Sequence, residues 1–583
     1  MLPELPGYRV VSLLYESSKS TLYRGVREPG GLPVILKMHK KDSPSVGEVI
    51  RHKREFEIAR ELAHIPVVAR VFELLEFGRK LVLVMEDFPG KSLQAWMEEE
   101  RLTLRRVLEI GIGVAEGLGQ LHAARVIHKD IKPANILVHP DTRSIKIIDF
   151  GISTLLPKEN VVFESLQRME GTPAYVSPEQ TGRINRSVDF RTDFYSFGAT
   201  LYHMLTGVIP FNERDSSAVV LCQISRAPVP PHRLDSEIPE VLSDIVLKLL
   251  AKTPEARYQS ARGIQIDLEE CLQRLDADLQ IRFFPIARRD MSRNLLIPQK
   301  LYGRAREVET LLAAFERVRL GGSEMILISG PSGIGKTVLV QEIHKPLTLQ
   351  QGTFITGKYD QLDRNRPYSA LVTAFRQLAQ FLLAETEERR KHLGDSLRQT
   401  LGQQGQVILE IFPEFEELLG PQPAIPFLSP AQRENRFHLV FQKFLGVLAS
   451  ADHPLVIFLD DLQWADTPSL TLLTESLTGP LLGHLLVIGA YRDNEVRPSH
   501  PLLRLQSALQ QGGCPVSRIQ LAPLSLQDVC DLVSETLRCD PLRTQALSEL
   551  LLRKTEGNPF FLSEFLQGLY REKLLVLNQD PLE

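Results

Sequence analysis

An apolar run, "MILIS" at 325–329, passes directly into the glycine-rich turn "GPSGIGKT" at 330–337 and then into a helical pattern. A turn of that composition has meaning only between a strand and a helix, where its amides and the helix N-terminus face one point. Further runs of strand length, "HPLVIFLDD" and "LLVIGAYR", follow after long helical stretches. This alternation predicts an α/β domain with a mainly parallel sheet and helical crossovers. From Leu521 onward the pattern is helical only.

The N-terminal part follows another rule. Residues 8–85 alternate β-rich runs ("RVVSLLY", "PVILKM", "KLVLVMED") with one charged helical segment, "EVIRHKREFEIARELA". From about residue 103 the chain turns helical, and Val107, Gly111, Val114, Leu118 and Leu121 recur on one helix face. The expected organisation is a two-lobed α+β domain at 1–275, a linker at 276–299, a P-loop α/β core at 300–520 and a helical region at 521–583. The linker is read from "IRFFPIARRDMSRNLLIPQK", which has two prolines and no clean period. Length alone, 583 residues, suggests three or four units.

A net charge of −4 argues against a nucleic-acid partner held by bulk electrostatics. The five cysteines show no C-x-x-C pair and read as free thiols in a reducing compartment. The N-terminus lacks the pattern of a signal peptide, and no apolar stretch reaches the ~18 residues that span a bilayer. The expectation is a cytoplasmic chain with no membrane span.

Two sites for phosphate chemistry stand out. In "VIHKDIKPANILV" and "IKIIDFG", Asp130 suits a base that accepts a hydroxyl proton, and Asn135 and Asp149 suit Mg²⁺. Lys132 reaches the transferring phosphate as a point charge. In the second site Gly330, Gly333 and Gly335 let backbone amides approach phosphate, Lys336 reaches the β/γ oxygens and Thr337 offers a hydroxyl to Mg²⁺. In "LVIFLDDLQWAD" Asp460 holds the metal and Asp461 activates the attacking water, while Arg492 ends a third strand where it senses the γ-phosphate.

Residues 8–275 resemble the protein-kinase family, with His128, Lys129, Asp130 and Asn135 at its H-R-D-x-x-x-x-N and Asp149, Phe150 and Gly151 at its D-F-G. Ser177, Pro178 and Glu179 stand at its A-P-E. The resemblance implies ATP as cofactor, with Lys37 on the α/β-phosphates, Glu55 as its helix partner and Glu86 on the nucleotide side. Asp193 of "RTDFYSFG" would brace the catalytic loop, and Arg257 of "PEARYQS" is the late structural arginine. Lys132 and Thr172 match the serine/threonine branch, so the implied partner is a protein bearing Ser or Thr.

There are two departures. Lys129 replaces an arginine and lacks the fork that would clamp a phosphorylated loop, although Thr154, Ser165 and Thr172 lie in that segment. Tyr15, Ser17 and Ser20 stand where the family has the glycines of its nucleotide loop.

The second half resembles the signal-transduction ATPases with numerous domains, through "LYGRAREVETLL", the P-loop, "LDDLQWAD" and "KTEGNPFFLSEFL". In this order, and with "GKYDQLDRNRPYSALVTAF", the whole chain resembles bacterial multi-sensor hybrid kinases. That resemblance implies signal transduction, and sensor and histidine-kinase modules either on a missing C-terminal part or on another chain; truncation is the expectation, and oligomerisation is open. The alternative is a pseudokinase scaffold with the ATPase as a nucleotide-gated switch; a third reading makes only the second domain an enzyme.

Overall fold

The computed structural model describes residues 2–576, apart from 17–19, 41–45, 79, 156–170, 184–185, 214–215, 292–294, 351, 362–365, 384, 386, 424–428 and 480–481. The chain divides into two compact units, broadly residues 1–293 and 294–583, rather than the three or four that length suggests. Each unit is large because it joins more than one apolar cluster, two in the first and three in the second.

In the first unit five antiparallel strands, β1 (Tyr8–Glu16), β2 (Ser20–Arg27), β3 (Leu32–His39), β4 (Val71–Phe77) and β5 (Lys80–Glu86), lie in the order β1-β2-β3-β5-β4. The middle five residues of β5 are apolar and buried, because both edges of this strand are paired. The charged helix Val46–Glu61 packs on this sheet. A small sheet of β6 (Lys91–Ser92), β7 (Ile136–Val138) and β8 (Ile145–Ile147) introduces the helical lobe. There the helix Leu104–Ala123, capped by Thr103, buries Val107, Gly111, Val114, Leu118 and Leu121, the face read from sequence. Gly117 on that helix lets Val67 approach to 2.7 Å of where a Cβ would stand.

The second unit carries β9 (Ser323–Ser329), β10 (Thr353–Lys358), β11 (Leu455–Asp460), β12 (Leu485–Tyr491) and β13 (Val516–Gln520), all parallel, in the order β10-β11-β12-β9-β13. The α/β reading is borne out. Helices cover both faces, so the three inner strands read as continuous apolar runs. Three helices, Leu526–Leu537, Pro541–Thr555 and Pro559–Arg571, follow the sheet.

One close approach tests this packing. A Cβ on Gly357 of β10 would lie 2.1 Å from the carbonyl oxygen of Ala370, in the first turn of the helix Ser369–Leu383. Backbone cannot yield as a side-chain tip can. Gly357→Ala is therefore expected to cost the second unit at least about 2 kcal/mol, read as a lower urea midpoint at unchanged slope.

The segment read as a linker is fastened at both ends. The helix Ala261–Asp278 runs past residue 275, Phe284 is buried in the first unit, and Asp290 accepts from the amides of Gln259 and Ser260. Ile297 is buried in the second. No helix among the described residues is long and apolar enough to cross a membrane.

Candidate functional sites

The first site lies where the five-stranded sheet meets the helical lobe. Lys37 of β3 donates to both oxygens of Glu55, at 2.7 and 3.0 Å, and to Oδ1 of Asp149 at 3.0 Å. Burial alone would depress the Lys37 amine, but Asp149 and Glu55 outweigh it and keep the ammonium firmly charged. Burial pushes the Glu55 carboxyl up to about 7 despite the pull of Lys37. The Lys37 ammonium holds the Asp149 carboxyl down at about 2. Asp149 stands at φ 70°, a conformation that costs of order 1–3 kcal/mol and clusters at functional sites. Its side chain is 41% exposed, and Oδ2 meets no donor among the described residues, so one oxygen is open to a hard cation.

Asp130 anchors the other half. Its Oδ2 accepts from Lys132 at 2.6 Å and from the Asn135 amide at 3.0 Å, while Thr172 donates to Oδ1 at 3.3 Å. Lys132 also donates to the Thr172 hydroxyl at 2.7 Å. The loop is held from beneath by Asp193, fully buried, whose carboxylate accepts from the amides of His128 and Lys129 at 3.0 and 2.8 Å. His122 bonds the same carboxylate and His128 the Ile148 carbonyl, so both histidines are structural. The Glu86 carboxylate is taken by Lys146 at 2.7 Å. Tyr15 sits within β1 opposite Leu22, 61% exposed, and Ser20 begins β2; Ser17 lies outside the described residues.

The second site sits at the carboxyl ends of β9, β11 and β12, where a doubly covered parallel sheet opens toward ligand. Gly330, Gly333 and Gly335 all take positive φ, 150°, 76° and 100°, which side chains rarely adopt. Lys336 is nearly buried and donates to the carbonyls of Gly330 and Pro331 at 2.7 and 2.9 Å. Burial lowers its pKa and raises that of Asp460, the latter helped by Asp461. Thr337 donates to Asp460 Oδ2 at 3.4 Å, bringing the two intended metal ligands together. Asp461 is buried at φ 55°; Gln463 donates to it at 2.8 Å and Lys358 lies at 3.3 Å. Arg492 stacks on Trp464, pairs with Glu495 at 2.9 Å and reaches within 3.6 Å of Asp461.

The model of the protein kinase domain matches residues 8–268, and that of the AAA ATPase domain matches residues 300–488. The chain joins a protein kinase domain to an AAA ATPase domain. Hybrid signal transduction histidine kinase G of Dictyostelium discoideum is 32% identical over 487 residues, 69% of this chain and 14% of that protein. A probable serine/threonine-protein kinase of Clostridium acetobutylicum is 34% identical over 221 residues, 38% of this chain and 33% of that protein. Serine/threonine-protein kinase PknB of Mycolicibacterium smegmatis is 34% identical over 272 residues, 46% of this chain and 42% of that protein. The chain thus spans less than half the length of each of these relatives.

Two of these relatives bear the names of serine/threonine-protein kinases, and both matched domains are of classes that bind ATP. Among the described residues no group of three or more His, Cys, Asp or Glu could enclose a metal. Each site instead offers two oxygen donors, which suits an ion that completes its shell with phosphate and water. In the kinase domain's activation segment, Thr154 is buried and exchanges backbone hydrogen bonds with Ile127, Thr172 is engaged by Lys132, and Ser165 lies outside the described residues.

Three polar groups escaped the sequence reading. Gln463, 2% exposed, donates to Asp461 and accepts from the Arg492 amide at 3.1 Å, tying the ends of β11 and β12 together. Its only signal is its place within "LDDLQWAD". Lys358, at the end of β10, gave none. In the kinase domain Gln180 donates to the Lys129 carbonyl at 2.7 Å, three residues after Ser177.

Proposed function

We propose that the chain is an ATP-dependent serine/threonine protein kinase whose activity is governed by its P-loop ATPase, acting in cytoplasmic bacterial signal transduction. The observation that carries the first half is the assembled network of Lys37, Glu55 and Asp149 beside Asp130, Lys132 and Thr172. A decayed kinase has no reason to keep both halves of a phosphoryl-transfer site assembled.

In this reading Glu55 holds Lys37 toward the α/β-phosphates, and Glu86 contributes through its backbone, its carboxylate being engaged by Lys146. Asp149 and the Asn135 side chain hold Mg²⁺. Bound Mg²⁺ neutralises charge on the phosphates. Asp130 orients a serine or threonine hydroxyl and accepts its proton, and Lys132 screens the charge of the group in transfer. In the ATPase, Lys336 exchanges two loop carbonyls for phosphate oxygens, a stronger acceptor for a cation. Thr337 and Asp460 hold the metal there, Asp461 orients the attacking water, and Arg492 meets the γ-phosphate. The proposed bounds are 1–275 for the kinase, 276–299 for the linker, 300–520 for the ATPase core and 521–583 for its helical region.

The likeness to a hybrid signal transduction histidine kinase across both domains supports the signalling role. It also supports partnership with sensor or histidine-kinase modules, whether on a longer form of the chain or on another protein.

The test is transfer of label from γ-labelled ATP with Mg²⁺ to a generic Ser/Thr acceptor, for the wild type beside Lys336→Ala. Transfer is expected in both, with the rate changed severalfold in Lys336→Ala. No transfer by either would favour the scaffold. Equal rates and equal oligomeric state would remove the governing role of the ATPase.

A further inference from the structure

The turn "TEGNPFF" at 555–561, between the last two described helices, reaches back to the P-loop from the far end of the sequence. It is itself fixed. Gly557 at φ 72° lies against Leu524, whose amide donates to the Gly557 carbonyl at 2.8 Å, and the Asn558 amide donates to Thr555 at 3.0 Å. From this base the Asn558 side chain does two things. Its Oδ1 accepts from the Phe560 amide at 3.1 Å, capping the helix Pro559–Arg571. Its Nδ2 donates to the carbonyl of Ser332 at 2.9 Å. The Phe560 amide also leans on the carbonyl of Gly333, at 3.3 Å. Gly333 has no room for a side chain, since a Cβ would lie 2.9 Å from Cβ of Phe560 and 3.0 Å from Oδ1 of Asn558.

The two acceptors belong to consecutive peptide planes. In a trans peptide the C=O and the following N–H point in opposite directions. Holding the carbonyls of Ser332 and Gly333 outward therefore aims the N–H groups of Gly333 and Ile334 the other way, into the loop, where a phosphate is bound. We propose that Asn558 is a positioning residue for the P-loop: it pre-orients the amides that bind phosphate, and so links nucleotide binding to the seating of the C-terminal helices. This rests on the P-loop being an ATP site. Linkage is reciprocal: a nucleotide that needs the oriented loop also tightens the helix that orients it.

Asn558→Asp removes the donor to Ser332, and Asn558→Ser leaves a shorter side chain without the second arm that reaches Ser332; both keep an oxygen for the helix cap. Full-length wild type and both variants would be titrated with a non-hydrolysable ATP analogue and Mg²⁺, following amide hydrogen exchange in peptides 325–340 and 556–571. In the wild type both peptides are expected to gain protection with one midpoint. In both variants the nucleotide-free exchange of 559–571 should be unchanged, the 325–340 midpoint should rise about 3–10-fold, and the protection of 556–571 should disappear. An unchanged midpoint in both variants would overturn the proposal. So would a rise in Asn558→Asp alone, which is charge repulsion, or faster nucleotide-free exchange of the helix in both, which is capping only. A wild-type P-loop left unprotected by millimolar analogue would instead defeat the ATP site on which the proposal stands.

Discussion

Asp130→Asn is expected to lower kcat for phosphate transfer at least about 100-fold while leaving the ATP KM within about threefold. The carboxylate is the one acceptor in the first site to which Lys132, Asn135 and Thr172 all donate. An amide there cannot accept a proton, and its NH₂ group would oppose the ammonium of Lys132 and the amide of Asn135, both donors. Lys37, Glu55 and Asp149 make no hydrogen bond to Asp130, so the nucleotide's anchors should survive. Steady-state kinetics with varied ATP separates the two effects. A variant within fivefold of wild-type kcat would mean that Asp130 is not the base.

Arg257→Ala should cost the kinase domain about 3–5 kcal/mol, a large share of the ~5–15 kcal/mol that holds a domain folded. Arg257 and Glu179 are both fully buried, with Nη1 and Nη2 at 2.5 and 2.7 Å from the two carboxylate oxygens. The same guanidinium also serves the carbonyls of Arg191, Ala251 and Lys252. Removing it leaves a buried carboxylate, supported among the described residues by Thr192 at 2.7 Å, and three carbonyls without that donor. Differential scanning calorimetry should show the kinase transition lowered by roughly 10 °C with the ATPase transition in place. A double substitution, Arg257→Met with Glu179→Leu, should recover part of the loss, because no charge is then stranded. If Arg257→Ala melts within about 2 °C of wild type, the pair carries little of the fold.

What was legible depended on how local the signal was. The face of the helix Leu104–Ala123 and the apolar runs of β9, β11 and β12 could be read because burial on a regular element leaves a period or a run. Strands β10 and β13 are harder to see. They are the edges of the sheet, only partly buried, and their "TFITGK" and "VSRIQ" mix polar and apolar residues. Glu55 could be named as partner of Lys37 because one charged helix stood nearby in sequence, and the side chains meet. Asn558 meeting Ser332, or Lys358 meeting Asp461, leaves no trace, since such pairs are joined by topology and not by spacing. The segment 281–300, read as an inter-domain linker, hides its anchoring for a related reason. Two prolines and a broken period look like free chain, yet Asp290 caps backbone amides 30 residues away.

The strand order of the ATPase sheet also dictates when it can form during synthesis. Strand β9 is flanked by β12 and β13. Its partners leave the ribosome about 160 and 190 residues behind it, roughly ten to forty seconds at ordinary elongation rates. Through that interval "MILIS", with the P-loop attached, has no edge to pair with, and its apolar run is the kind of segment that chaperones hold. β10 and β11, born between, can pair first with each other. The nucleotide site, built on the ends of β9, β11 and β12, is therefore completed only when β12 arrives.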